Sequence, residues 1–168
     1  MSNNKKFFEN SLPLPPRPAL GNVLLSGLGG FVAIAAIALI ADYTQAILIL
    51  GSFGASCVII FGLPDSPLAQ PRNVIAGHFL SSLIGLVYLH TCGPYWWSLA
   101  LAVGTAIIVM MATRPVHPPA GSNPVIVFLG TPGWGFLLFP TLIGAIFLVL
   151  VAMGYNNIVR KKKYPLYW

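Results

Sequence analysis

Between Leu20 and Tyr155 the chain carries only four fixed charges, Asp42, Asp65, Arg72 and Arg114. A water-facing surface cannot be built from so few, because soluble domains carry about a quarter charged residues. The full chain of 168 residues is 57% hydrophobic and 7% charged, with a mean hydropathy of +0.82. The fold class that follows is an all-α membrane protein, since helices satisfy every backbone group within one segment in lipid. Nine Lys/Arg against three acids give a net charge of +6. The basic residues gather at the ends and in short connections, which is the signature of membrane topology and not of a nucleic-acid partner. The bilayer itself is the first partner implied.

Residues 1–19 read as a polar, then proline-rich arm on the cytoplasmic membrane surface, with no cleavable apolar core ahead of the prolines. Residues 20–155 form the transmembrane domain. Its spans are expected at Leu20–Ala41, Thr44–Leu63, Val74–Leu89, Trp96–Ala112 and Trp134–Tyr155, the last with Pro140 able to kink it. Residues 156–168 form a basic and aromatic tail that suits an anionic leaflet. Cys57 and Cys92 stand at no metal or redox spacing and read as small packed residues.

Two stretches break this apolar pattern. Arg114–Pro124 carries an arginine, a histidine and four prolines between apolar runs. Proline removes N–H donors and biases the preceding residue away from helix, so the helix before it must stop. A polar break at membrane depth is a functional candidate by default. Gly51–Ser56 interrupts the second span with two glycines and two serines. It is either ordinary small-residue packing or a point of unwinding.

If Ala120–Gly130 crosses, the chain has six membrane segments. Lys5, Lys6, Arg17, Arg72, Arg114 and the Arg160–Lys163 cluster then share the cytoplasmic side, as do both termini. Eleven residues are too few for a full helical span, which needs about 20. The segment must therefore be a half-helix joined to a non-helical half. Ala55–Pro64 resembles Gly121–Pro132, and Leu83-Ile84-Gly85 resembles Leu142-Ile143-Gly144. The expectation is a 3+3 inverted repeat with halves at about 20–91 and 92–155, each holding one broken segment. Half-helices over about Ala55–Gly62 and Ser122–Gly130 would then start at the midplane. Their N-termini attract anions.

The candidate substrate-binding residues are Ser52, Gly54, Ala55, Ser56, His117, Gly121, Ser122 and Asn123. Arg72, His78 and Arg114 are the gating or electrostatic candidates. His117 reads equally as a titratable gate and as a neutral histidine capping backbone carbonyls. Arg72 and Arg114 read as substrate-attracting charges or as positive-inside flanks. The scarce acids give no acid–base or nucleophile set, so no enzyme activity, catalytic residue, metal or cofactor is expected. No GxxxxGK[ST] motif is present, so transport would be passive or gradient-coupled.

The run RPVHPPAGSNP at Arg114–Pro124 resembles the HPP family of integral membrane proteins. So do SFGAS at Ser52–Ser56, SPLAQPRN at Ser66–Asn73 with Gly77-His78, and the YPLYW tail. Family descriptions commonly count four spans. Plastid and cyanobacterial members are associated with nitrite transport. The resemblance therefore implies a transporter or channel for a small monovalent anion, nitrite first, in a bacterial plasma membrane or a plastid envelope, self-associating into a homo-oligomer. The alternative is a non-catalytic structural or regulatory partner of another membrane protein.

Overall fold

The computed structural model describes residues 14–168, so the Lys5, Lys6 and Glu9 part of the expected arm lies outside the described residues. All regular structure among the described residues is helical. The helices are α1 (Leu20–Thr44), α2 (Gly51–Gly62), α3 (Pro71–Cys92), α4 (Trp96–Thr113), α5 (Asn123–Gly130) and α6 (Ile143–Gly154). Four helical stretches are long and apolar enough to cross a membrane: Leu20–Thr44, Pro71–Cys92, Trp96–Thr113 and Trp134–Val159. At 1.5 Å per residue, α2 and α5 reach only about 18 and 12 Å.

Local chemistry sets the boundaries. Gln70 is extended and Pro71 opens α3, a position where its missing N–H costs nothing. Gly93, at φ 83, closes α3 in a conformation that favours glycine. Arg114, at φ 73, ends α4, and Pro115 prevents its continuation. Phe139 is extended at φ −124 and ψ 123 because Pro140 follows it, which kinks the entrance to α6 as expected.

Contacts assign the segment ends to two ends of the bundle. At the Arg72 end, Arg72 donates to the Thr113 carbonyl, Ser26 donates to the Phe61 carbonyl and Tyr155 donates to the Leu25 carbonyl. Arg160 also donates to Phe61, and Lys162 pairs with Asp65. At the opposite end His90 stacks on Trp134, with ring centroids 5.0 Å apart. Thr44 lines an apolar cavity there with Phe139 and Ile143. The segment 114–130 climbs along α3 between these ends. His117 lies on Gly77, Ala120 on Ser81, Pro124 on Gly85, and Val127 on Leu86 and Leu89. The chain thus runs the length of the bundle six times, with α2 and α5 each supplying half of one passage.

The second passage differs from expectation. Helix α2 begins at Gly51, and Gly51–Ser56 is helical throughout. The non-helical half is the apolar stretch after Gln45, which sits at φ 55. Leu48 and Leu50 bury their side chains there. Glycine and serine are tolerated inside membrane helices, where they permit close approach. The break therefore falls ahead of the small residues, and Ser52–Ser56 forms the start of α2, not an unwound piece before it.

Two glycines make the packing possible. A Cβ on Gly144 would stand 2.6 Å from Phe53 and 2.7 Å from the Leu48 carbonyl. A Cβ on Gly85 would stand 2.9 Å from Pro124 Cα. Helix α3 thus receives the start of α5 at Gly85, and α6 receives the start of α2 at Gly144.

The tail closes the Arg72 end. Tyr164 is 2% exposed and its hydroxyl donates to the Ala69 carbonyl at 2.7 Å. The Leu166 N–H donates to Gln70 Oε1 at 2.8 Å. Burial raises the Tyr164 phenol above its ordinary range, so its contribution is fully present below about pH 10 and fades above it as the unfolded phenol ionises. Tyr164→Phe is expected to cost about 1–2 kcal/mol, because the Ala69 carbonyl loses its donor. Thermal unfolding in detergent at neutral pH and above pH 10 checks both; equal sensitivity of wild type and variant to alkali would contradict the docking.

Candidate functional site

Most of the fully buried polar side chains converge around the middle of α3; Gln70, Ser98 and Asn156 lie apart, on the Pro64, Tyr88 and Ile60 carbonyls. His78 and Ser82 are four residues apart, so they share one helix face. Ser52 and Ser56 do the same on α2. Ser56 Oγ lies 2.9 Å from His78 Nε2 and 2.8 Å from His117 Nε2. His117 Nδ1 lies 2.7 Å from the Leu68 carbonyl. Asn123 Nδ2 lies 3.1 Å from His78 Nδ1 and donates to Ser82 Oγ at 2.9 Å. Thr141 donates to Ser82 Oγ at 3.1 Å. Ser56, His78, Ser82, His117, Asn123 and Thr141 are each 0% exposed. Ser82 stands about 16 Å along α3, near the middle of the bundle.

The local fold aims each member. Gly77 lets His117 approach α3: a Cβ there would meet His117 Cβ at 2.8 Å. Ser81 fixes the following turn by donating to the Ala120 carbonyl at 2.6 Å. Phe53 meets the His78 ring edge-on at 5.1 Å, and the two imidazoles lie 5.1 Å apart. Two buried oxygens, Ser52 Oγ and Asn123 Oδ1, have no hydrogen-bond partner within the protein. Among the described residues no carboxylate joins the cluster; Asp42 and Asp65 are exposed at the bundle ends.

The expected residues divide cleanly. The cluster contains Ser56, His78, His117 and Asn123, with Ser52 buried one turn away on α2. Gly54 and Ala55 point elsewhere: both are exposed, and Gly54 lines an apolar groove between α1 and α2. Ser122 is exposed, and its hydroxyl is spent on the Pro119 carbonyl at 2.8 Å. Gly121 is only half-buried, with open space where a Cβ would stand. Arg72 and Arg114 are exposed at the Arg72 end and do not reach the cluster. The expected free N-terminus at Ser122 is also replaced. A tight turn over Pro118–Ser122 runs straight into α5 with His117 at its start, and Asn123 N–H already donates to the Ala120 carbonyl. Two prolines lack N–H groups, so side chains and not bare amides collect at mid-depth.

Ser81, Ser82, Thr141 and the Leu68 carbonyl were missed. The four-residue spacing of His78 and Ser82 was a readable signal. The Leu68 carbonyl had none, because only the tertiary return of residues 63–70 brings it to His117.

Comparison with known proteins places this site in a family. The model for the HPP transmembrane region matches residues 15–165. Two Dictyostelium discoideum proteins, named only as transmembrane proteins, are 42% and 36% identical over 92% of this chain. The chain spans 58% and 53% of their lengths, a little over half of each relative. No solved structure gives a significant match. With its polar break and its histidine cluster both inside the matched region, the chain belongs to the HPP family of integral membrane proteins.

Proposed function

We propose that the chain is a transporter for a small monovalent anion, nitrite first, and that the mid-depth cluster is its translocation site. The carrying observation is a fully buried polar chain from α2 across α3 to α5 and the α6 entrance, with no carboxylate in it. Hydroxyl, amide and imidazole donors suit a weakly hydrated anion, and buried polar groups in membrane helices mark solute pathways. The unpartnered Ser52 Oγ supplies a donor that the protein itself leaves open. On this reading the chain is no enzyme, since Ser56 and its two histidines have no acid beside them to act as a catalytic set.

The same reading takes the six passages as two inverted halves. Ser82 and Thr141, equivalent positions of the Leu-Ile-Gly likeness, hydrogen-bond to one another, a closeness that supports a two-fold axis between the halves. Gly85 of the first half receives Pro124 of the second, and Gly144 of the second receives Phe53 of the first. The basic Arg72 end then faces the cytoplasm.

The test is nitrite uptake by purified protein in liposomes at several pH values, with protein-free vesicles setting the background of nitrous acid diffusion. Uptake well above that background is expected. Uptake equal to it, with folded protein confirmed, overturns the reading.

A further inference from the structure

We infer that Ser56 joins His78 and His117 into a proton relay leading from the mid-depth site to the Arg72 end of the bundle. The inference rests on the transport reading for its physiological use, but its geometry stands alone. With both rings uncharged, the polarity of every bond is determined. Leu68 offers a carbonyl, which only accepts, so His117 carries its hydrogen on Nδ1 and presents a bare Nε2. Ser56 has one hydrogen and two acceptors for it, the Ser52 carbonyl at 3.1 Å and that Nε2 at 2.8 Å, and the nearer Nε2 takes it. Ser56 Oγ then accepts from His78, which therefore carries its hydrogen on Nε2. His78 Nδ1 is left bare, and the Asn123 amide donates to it. The two histidines hold opposite tautomers, fixed at their outer nitrogens by Leu68 and Asn123 and joined at their inner ones by the Ser56 hydroxyl.

The chain can pass a proton with balanced bonds. A proton arrives at His78 Nδ1 from the mid-depth side, where Asn123 turns its unpartnered Oδ1 to receive the new N–H. The Nε2 hydrogen of His78 moves to Ser56 Oγ, and the Ser56 hydrogen moves to His117 Nε2. The Nδ1 hydrogen of His117 leaves at the Leu68 carbonyl toward water. One proton enters and one leaves, and no redox partner is needed. Two features complete the device. The Ser52 carbonyl, 3.1 Å from Ser56 Oγ, holds the hydroxyl hydrogen when His117 Nε2 is protonated. The Leu68 carbonyl then faces a bare Nδ1, a repulsion that leaves the shifted polarity the higher in energy.

The surroundings contain no competing charge at the rings. On α2 the titratable neighbour is Cys57, buried one residue from Ser56. On α3 the charged residue is Arg72, at the helix start and bound to the Thr113 carbonyl. The loop before α3 offers Asp65, exposed and paired with Lys162 of the tail; the tail adds Tyr164, bound to Ala69. Arg114 is exposed beyond the end of α4, and α5 and α6 have no titratable side chain.

The experiment uses liposomes holding the full chain and a pH-sensitive dye, with an inward nitrite gradient and a clamped membrane potential. Nitrite entry and lumen acidification are followed together, above protein-free vesicles. Wild type is expected to admit a proton with each nitrite. Ser56→Ala is expected to lower protein-dependent proton entry by about 100-fold, the scale on which positioned proton transfer acts. Ser56→Thr, which keeps the hydroxyl, should retain it. In parallel, 15N imidazole spectra should give Nδ1–H for His117 and Nε2–H for His78; Leu68 and Asn123 should hold both tautomers in Ser56→Ala, so that the loss of proton entry there reads the hydroxyl alone. Wild-type nitrite entry without protons overturns the relay and leaves the transport reading standing. Absence of nitrite entry overturns the transport reading, and the tautomers then decide the relay: opposite tautomers support it, identical ones overturn it.

Discussion

Gly144→Val is expected to leave little folded protein in the membrane, the largest stability loss of any single substitution argued from this structure. A Cβ at this position would sit 2.6 Å from Phe53 Cε2 and 2.7 Å from the Leu48 carbonyl oxygen. Phe53 is 0% exposed and pressed against His78, so its ring has nowhere to go. Leu48 O is backbone, in the extended half of the second passage, and moving it shifts the start of α2. Overpacking a core ordinarily costs about 1–3 kcal/mol; with a backbone atom in the way, the loss is expected at or above about 3 kcal/mol. Relieving the ring alone should recover only part of it, so Gly144→Ala with Phe53→Leu remains less stable than wild type. Gly154→Ala is the control, since nothing lies within 4 Å of its Cβ position. It should change stability by no more than about 1 kcal/mol, the glycine–alanine difference in a helix. Denaturation in detergent, read by tryptophan fluorescence, separates the two. Equal behaviour of Gly144→Ala and Gly154→Ala would mean that Phe53 and Leu48 do not pack as described.

How much of this was readable beforehand depends on range in the chain. The four long helices follow from apolar runs of spanning length. The stop at Arg114 follows from Pro115, and the kink before α6 from Pro140. Charge distribution called for six passages, which the contacts of Arg72 with Thr113 and of His90 with Trp134 support. The second broken segment was read in the wrong register. Gly51, Ser52, Gly54 and Ser56 look like helix breakers by propensity in water, yet membrane helices tolerate them; here Ser52 and Ser56 turn inward while Gly51 and Gly54 face open space. The true break lies in Ala46–Leu50, whose apolar composition carries no local sign of extended backbone. The site was half readable. His117, Ser56, His78 and Asn123 stood out as polar residues in apolar company. Their direct contacts did not, because His78 sits 22 positions from Ser56 and 39 from His117 along the chain, and only the climb of 114–130 along α3 closes that distance. Ser122 was expected as a donor at the start of the half-helix, and Ser82 was not among the candidates. The tight turn instead rotates Ser122 outward onto the Pro119 carbonyl and brings Asn123 inward.

Asn123→Leu is expected to abolish nitrite uptake and to lower stability by about 2–3 kcal/mol. The amide reaches three acceptors, His78 Nδ1, the His78 carbonyl and Ser82 Oγ, from a position with 0% exposure. Leucine keeps the branching at Cγ but is larger, so overpacking adds to the loss of hydrogen bonds. The bare His78 Nδ1 is left buried without a donor, which costs about 1–3 kcal/mol for each such group. Ser82 keeps Thr141 as a donor, so its share is smaller. Serine at this position should not substitute, because one hydroxyl cannot span both His78 and Ser82. Asn123→Asp gives a different and sharper result. A carboxylate accepts and does not donate, so it draws the His78 hydrogen to Nδ1 and leaves Nε2 bare toward Ser56. Ser56 has one hydrogen for two bare imidazole nitrogens, and the bond polarity from His78 to Leu68 collapses. Asn123→Leu should therefore keep the His117 tautomer and lose the His78 donor, whereas Asn123→Asp should invert the His78 tautomer. Imidazole 15N spectra of the two variants read this directly beside the uptake assay. If both variants carry nitrite as wild type does, Asn123 is not part of the pathway.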